Sequence, residues 1–268
     1  MTATLGTALI TGASSGIGAV YADRLARRGH DLILVARNRT KLDAVADRIT
    51  NETGRSVVAL TADLEQAEDL RLVEQMLRSN ESISVLVNNA GFGAVTPLVE
   101  SDVDTMEAMI ALNATALTRL TYAFAPSVVA RGGGTLINIG SVVAIIPEVM
   151  NGVYGATKAF VLALSRSLRH ELGARGLKVQ VVLPGATATD FWETAGSPVE
   201  HLPQEWVMTA EDMVDAALAG LDDGEFVTIP ALPDVEMWEA FEAARQPLSA
   251  NLSNSRPAER YRRTSATN

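Results

Sequence analysis

The chain has 268 residues, 47% of them hydrophobic, enough for one large α/β domain with a substantial core. Thirty-two acidic against 22 basic side chains give a net charge of −10, which disfavours a nucleic-acid backbone as the main partner. The absence of cysteine excludes disulfides, thiolate metal sites and cysteine nucleophiles, and the three scattered histidines, His30, His170 and His201, show no ligand-like spacing, so no metal is expected.

The first residues, MTATLGTALITG, lack a basic leader segment and run directly into a strand-like stretch, so a secretory signal is not expected. No stretch approaches the roughly 20 apolar residues that cross a bilayer, so membrane insertion is not expected either, and the expected compartment is the cytoplasm. Short aliphatic runs at 7–11, 31–36, 57–61, 83–87, 134–140, 178–183 and 225–229 read as strands. Amphipathic stretches near 17–28, 39–50, 66–79, 102–130, 153–173 and 210–221 read as helices between them. The 102–130 stretch is either one long helix ending near Pro126 or two shorter ones. In 153–173, Phe160, Leu164, Leu168 and Leu172 recur every four residues, as one helical face requires.

This alternation predicts a single-domain, doubly wound Rossmann-type fold: a seven-stranded parallel sheet with helices on both faces. The predicted catalytic domain covers 1–246. Within it, the irregular stretch 188–208, with Gly196, Pro198, Pro203 and Trp206, is long enough to act as a lid. Residues 247–268 form a polar tail, either disordered or packed at an oligomer interface.

Residues 7–11 run straight into Gly12-Ala13-Ser14-Ser15-Gly16-Ile17-Gly18, followed by an alanine-rich helix. Glycines at such a junction let the backbone approach a ligand closely, and the free N–H groups of a helix start suit a pyrophosphate. Gly18 also permits close packing of helix on sheet. The second strand ends Ala36-Arg37-Asn38-Arg39. A carboxylate there would bind ribose hydroxyls and repel a 2′-phosphate; Arg37 offers a phosphate-binding fork, assisted by Arg39 or Ser14. NADP(H) is therefore expected in preference to NAD(H).

Tyr154 and Lys158 stand four apart on a predicted helix, hence on one face. A nearby lysine charge favours tyrosinate, so Lys158 is expected to lower the Tyr154 pKa and make the phenol an acid/base group. Ser141, after the fifth strand, is suited to orient a carbonyl or alcohol oxygen.

TGASSGIG at 11–18, NNAG at 88–91, Asn113, Ser141, YGATK at 154–158 and PGATAT at 184–189 occur in order along the chain. Together they resemble the classical short-chain dehydrogenase/reductase family over nearly the whole length. The resemblance implies an NADP(H)-dependent oxidoreductase acting on a small carbonyl compound or its alcohol. In that scheme Tyr154 is the acid/base, Lys158 its activator and a ribose ligand, Ser141 the substrate-oxygen anchor, and Asn113 part of a water-linked proton path. It further implies cofactor contacts from Ile17 in the pyrophosphate turn, from Asp63 and Leu64 on the adenine side, and from Asn89, Ala90 and Gly91 along the ribose. Pro184, Gly185, Thr187 and Thr189 would border the nicotinamide. The extended epimerases share the fold, but the spacing Gly12-x-x-x-Gly16-x-Gly18 and the lack of a large C-terminal domain favour simple reduction or oxidation.

Phe92, Ile145, Ile146, Val149, Val153, Phe191 and Trp192 are candidate pocket residues and point to an apolar ketone or aldehyde; Glu148 and Glu193 are the nearest charges. A homodimer or homotetramer through helices 102–125 and 153–172 is the expected assembly. The alternative reading is a catalytically weak NADP(H)-binding sensor, which would need neither an activated tyrosine nor a placed serine.

Overall fold

The structure is a computed structural model and describes residues 5–262. The described residues through Pro230 form one compact unit, and those from Ala231 group into a second.

The first unit carries the expected sheet. Seven strands, β1 (Thr7–Thr11), β2 (Asp31–Ala36), β3 (Val57–Thr61), β4 (Ile83–Asn88), β5 (Gly134–Ile139), β6 (Leu177–Val182) and β7 (Val227–Thr228), lie in the order β3-β2-β1-β4-β5-β6-β7. Every neighbouring pair is parallel. All five residues of β1 are buried, because helices cover both faces and leave no side of a central strand for water. At the edge, β3 is only half covered. β7 is shorter than the 225–229 expected; it pairs with β6 through Val227 and Thr228 alone.

The helices are α1 (Gly16–Arg27), α2 (Arg39–Thr53), α3 (Ala67–Ser79), α4 (Val103–Ile110), α5 (Leu117–Ala130), α6 (Gly152–Leu172), α7 (Phe191–Ala195) and α8 (Ala210–Asp223). Their starts follow local chemistry: the side chains of Asn38, Asp102, Asn151 and Thr209 each accept a first-turn backbone N–H. α1, α2 and α8 pack one apolar layer onto the sheet, around Ile10, Leu34, Leu42, Val214 and Leu218. α3 and α5 build the opposite layer around Leu9, Val73, Leu86, Leu120 and Phe124.

The expected 102–130 helix is a continuous helical run interrupted by a π turn at Ala111–Ala116. Pro126 lies inside α5 rather than ending it. The carbonyl it deprives of a partner belongs to Tyr122, an exposed residue where solvent can take that bond.

Order reverses between β1 and β4, adjacent strands from which the chain runs outward to opposite edges of the sheet. At such a switch point the loops leaving the carboxyl ends of the strands diverge and open a crevice. Thr11, Ala36, Asn88, Ile139 and Val182 are these strand ends, and every site residue expected from sequence follows one of them in the chain.

In the second unit the helix α9 (Val235–Arg245) was not expected from sequence. Asp234 caps it by accepting from the Glu236 N–H at 2.9 Å, and the Trp238 and Phe241 rings meet at 5.2 Å. None of its residues is buried, so it lacks the apolar stripe that betrays a core helix. The expected boundary at 246 falls within this unit. Of the expected 247–268 tail, the described residues carry the short exposed turns Gln246–Asn251 and Glu259–Tyr261, and 263–268 lie outside the described ones. Among the described residues, no helix is long and apolar enough to cross a membrane.

Candidate active site

The glycine turn joins β1 to α1 as the sequence requires. Gly12 and Gly16 have positive φ of 66° and 51°. A β-carbon on Gly18 would stand 2.3 Å from the Gly12 carbonyl oxygen, so only glycine lets α1 start this close to the sheet. Ser15 precedes α1 without a side-chain cap, and the first turn carries no acidic residue. Ser14 and Ile17 complete the loop, Ile17 resting on the core. A β-carbon at Gly12 or Gly16 would fill the turn, against Asn89 and Thr189 respectively. This is the cradle a pyrophosphate needs, with amide donors and no competing carboxylate.

The turn is braced from β4. The Asn89 side chain donates to the Thr11 and Gly12 carbonyls at 2.9 and 3.2 Å, and the Asn89 and Ala90 N–H groups both donate to Thr11 Oγ1 at 3.0 Å. Asn88 points the other way, into the sheet, where it donates to Asn138 Oδ1 and Thr121 Oγ1. The two asparagines of the 88–91 motif thus do different work: one fixes the phosphate loop, the other ties β4 to β5 and α5.

Arg37 extends from the end of β2 into solvent and gives Nη1 to Glu65 at 3.1 Å. Arg39 is turned away from this corner, donating to Asp43 within α2. Asp63 shapes the neighbouring loop by accepting the Glu65 N–H, while the Leu64 side chain is buried in the core, so only its backbone faces the crevice side.

Tyr154 and Lys158 lie on one face of α6, with the lysine nitrogen 5.7 Å from the phenol ring centre. Both are buried. Lys158 donates to the Ile139 carbonyl at 3.0 Å. Burial is the main influence on both groups. It holds the phenol above its usual tyrosine range, opposed by a hydrogen bond with Ser141, and it pushes the lysine down to about 8. The expected lowering of the Tyr154 pKa is therefore corrected: loss of water raises it, and Ser141 rather than Lys158 is the group that opposes the rise. A phenol so placed keeps its proton at neutral pH.

Ser141 is oriented by the backbone, accepting the Val143 N–H at 3.3 Å and facing the Pro184 carbonyl at 3.4 Å. Asn113 lies within the π turn, a distortion that swings one side chain out of the regular helical ladder. Its amide receives the Phe92 N–H at 3.1 Å and donates to the Phe92 carbonyl at 2.8 Å and to Thr157 Oγ1 at 3.2 Å. It thereby ties the loop after Gly91 to α6, and a β-carbon on Gly91 would meet Asn113 Oδ1 at 2.8 Å and Lys158 Nζ at 3.7 Å.

The 184–195 segment crosses over the glycine turn. Pro184 is buried and Gly185 accepts weakly from Thr187 Oγ1. Thr187 is buried and its carbonyl receives Trp192 Nε1 at 2.9 Å, while Thr189 faces Gly16. Lys41 of α2 pairs with Asp190 at 3.1 Å. Phe191 then lies beside Tyr154, ring centres 5.6 Å apart.

Around the phenol, Ala94, Met106, Met109 and Val143 form a small apolar cluster with Phe92, Met150, Val153 and Phe191. Of the expected pocket residues, Phe92, Val153 and Phe191 join it. Ile146 and Val149 are exposed, as are Glu148 and Glu193, and none of the four belongs to this cluster. Sequence reasoning missed Thr157, which links Asn113 to α6, and Asn151, which caps α6 and donates to the Thr96 carbonyl at 2.7 Å. An Asn-Gly pair immediately before the helical stripe was the available signal for the cap.

The sequence profile of the short chain dehydrogenase family matches residues 6–199, well over half of the chain. The protein belongs to the short-chain dehydrogenase/reductase family. This reductase-family chain superposes on a short-chain dehydrogenase from Sphingobium yanoikuyae solved in complex with NADPH, with a TM-score of 0.94 and 51% identity over 96% of this chain and 100% of that one. It also matches the bulky-bulky ketone specific alcohol dehydrogenase from Comamonas testosteroni, with a TM-score of 0.89 and 46% identity over 97% of this chain and 99% of that one. The human 17-beta-hydroxysteroid dehydrogenase type 3 is 35% identical over 186 residues, 68% of this chain. There the match spans 59% of the relative's length. The short-chain dehydrogenase/reductase is thus an oxidoreductase by family, with dehydrogenases and reductases as its relatives.

Proposed function

We propose that the protein reduces an apolar ketone or aldehyde to its alcohol with NADPH, and runs the reverse reaction with NADP+. One observation carries this reading: the Tyr154 side chain is buried, hydrogen-bonded to Ser141 and set within an apolar cluster. Reduction of a carbonyl needs a proton donor at the oxygen, and a phenol, with an ordinary pKa of about 10, carries its proton at neutral pH.

In this reading Ser141 accepts its fixed orientation from the Val143 N–H and turns its hydroxyl hydrogen to the substrate oxygen. Tyr154 hydrogen-bonds the same oxygen and gives up its proton as negative charge develops there. Lys158, anchored on the Ile139 carbonyl, stabilises the phenolate left behind and holds the nicotinamide ribose. When bound, the reduced nicotinamide supplies the hydride to the carbonyl carbon. The residues fit that group: the 12–18 turn, braced by Asn89, would hold the pyrophosphate, Asp63 and Leu64 would lie on the adenine side, and Asn89, Ala90 and Gly91 would line the adenosine ribose. Pro184, Gly185, Thr187 and Thr189 flank the nicotinamide side. Arg37, exposed and paired with Glu65 through Nη1, would hold a 2′-phosphate by its guanidinium charge. The NADPH bound by the Sphingobium relative supports this preference, and the Comamonas relative's specificity for bulky-bulky ketones supports a ketone substrate.

A homodimer or homotetramer remains the proposed assembly; exposed Ile110, Tyr122 and Phe160 on α4, α5 and α6 support it.

The test is NADPH and NADH oxidation with a panel of apolar ketones and aldehydes, using wild type and Tyr154→Phe. Wild type is expected to turn over with a marked NADPH preference, and Tyr154→Phe to lose about 10²–10⁴-fold in kcat while still binding NADPH. Equal efficiency with both cofactors would remove the role given to Arg37. Full activity in Tyr154→Phe would remove the proton donor. Tight NADPH binding without turnover of any compound would favour the sensor.

A further inference from the structure

Gly93 has no backbone reason to be glycine. Its φ lies outside the left-handed region, so any residue could adopt its conformation. What it lacks is room. A β-carbon there would stand 2.5 Å from Phe191 Cζ, 3.0 Å from Phe191 Cε2 and 3.1 Å from Tyr154 Cδ2. The ring of Phe191 occupies the space that a side chain at 93 would fill, and leans against the Tyr154 ring at 46°.

Phe191 is held in that slot from both sides. Trp192 packs edge-on against it at 5.5 Å, with its own Nε1 tied to the Thr187 carbonyl. At the far end of α7, the Ala195 carbonyl accepts the Val95 N–H at 3.1 Å, so the loop that carries Gly93 also grips the helix that carries Phe191. The aromatic ring is the wall of the apolar cluster nearest the phenol, and the glycine sets how close that wall stands.

The geometry points to Gly93 and Phe191 as one specificity device: Phe191 bounds the space for an apolar substituent of the substrate beside Tyr154, and Gly93 positions Phe191 by leaving it room. This rests on the carbonyl-reductase reading above and adds the residues that decide which carbonyl compounds fit. Phe191 limits the substituent's size directly; Gly93 acts chiefly through Phe191, the side chain a β-carbon there would meet most closely.

That dependence gives the test. Initial rates with NADPH are measured for a methyl ketone and for its homologue with a propyl group in place of the methyl, in wild type, Gly93→Ala, Phe191→Ala and the double variant. Phe191→Ala is expected to shift the kcat/KM ratio about tenfold or more towards the larger ketone, the scale at which apolar pockets separate such substituents. Gly93→Ala, which displaces only the far end of the Phe191 side chain, is expected to shift the ratio several-fold. In the Phe191→Ala background the Gly93→Ala change is expected to alter the ratio less than twofold, because the ring it displaces is gone. Additive shifts, or an unchanged ratio in both single variants of an enzyme that reduces both ketones, would overturn the device alone. A wild type that reduces neither these nor any other carbonyl compound would overturn the reductase reading and the device with it. If Gly93→Ala fails to fold, the ratio in Phe191→Ala still decides whether the ring limits the substituent.

Discussion

At Tyr154 and Lys158, two ionisable groups are buried within one turn of each other, and their desolvation has consequences beyond chemistry. Lys158 is pushed down from its ordinary 10.5 to about 8. Between those values the unfolded chain still holds a proton that the folded chain has released, so this residue's contribution to stability rises with pH from about 8 to about 10.5. Below about 8 the full cost of burying the charge is present. Tyr154 acts in the opposite sense at higher pH: above its ordinary 10.0 the unfolded phenol ionises while the folded one does not, and stability falls. Urea titrations of wild type and Lys158→Met at pH 8 and pH 10 should therefore diverge. Wild type should gain on the order of 2 kcal/mol relative to the variant across that interval. Parallel stabilities at both pH values would mean that Lys158 is not desolvated as its burial requires. The Tyr-Lys spacing was legible in the sequence, but the direction of the tyrosine's shift was not. Spacing tells which groups are neighbours, and only the packed structure tells how much water each has lost.

On the scale of single elements, α6 carries the chemistry and its start fixes where that chemistry lies. The stripe Phe160-Leu164-Leu168-Leu172 makes the helix readable from sequence. Its position relative to the crevice depends on Asn151, three residues before Tyr154. The Asn151 side chain accepts the Val153 N–H at 2.9 Å and donates to the Thr96 carbonyl at 2.7 Å and to Ser101 Oγ at 3.1 Å. One buried side chain thus caps the helix and pins the 92–101 loop to it. Asn151→Ala is expected to cost about 1 kcal/mol for the cap and a further 1–3 kcal/mol for the unsatisfied loop groups, read as a lower urea midpoint. Asn151→Asp should keep the cap and lose only the donated bonds. Equal losses in the two variants would deny the cap its share. The π turn at Ala111–Ala116 had no sequence signature, because its residues continue the helical pattern on either side; the bonds from Asn113 to Phe92 and Thr157 accompany it only in the folded chain.

Across the whole molecule, a buried polar ladder crosses the middle of the sheet beneath the crevice. Asn88 on β4 donates to Asn138 on β5 at 3.0 Å, and Asn138 donates to Ser165 on α6 at 2.9 Å. All three are buried, and Asn88 and Asn138 stand opposite each other in the parallel register. This ladder locks the strand ends that present Asn89 and Ser141 to the helix that presents Tyr154. Asn138→Ala would take one partner each from the buried Asn88 and Ser165, which keep only Thr121 and the Val161 carbonyl. It should cost about 2–4 kcal/mol in chemical denaturation, with a loss of activity even where the fold survives. A change under 0.5 kcal/mol would mean that the ladder is incidental.

The sequence by itself determined the parallel α/β fold and the glycine turn, because these follow from local periodicity and from a motif that is contiguous in the chain; it offered Asn113, Ser141, Tyr154 and Lys158 as site residues through resemblance to the family. Tertiary structure decided everything that depends on distance between separate motifs. It turned Asn88 and Asn89 to opposite tasks, gave Arg37 a partner in Glu65, left Ile146 and Val149 in solvent, and set Phe191 in the room left by Gly93. A one-dimensional pattern records which face a residue occupies but not what meets it there, since partners about a hundred residues apart are joined only when the sheet closes.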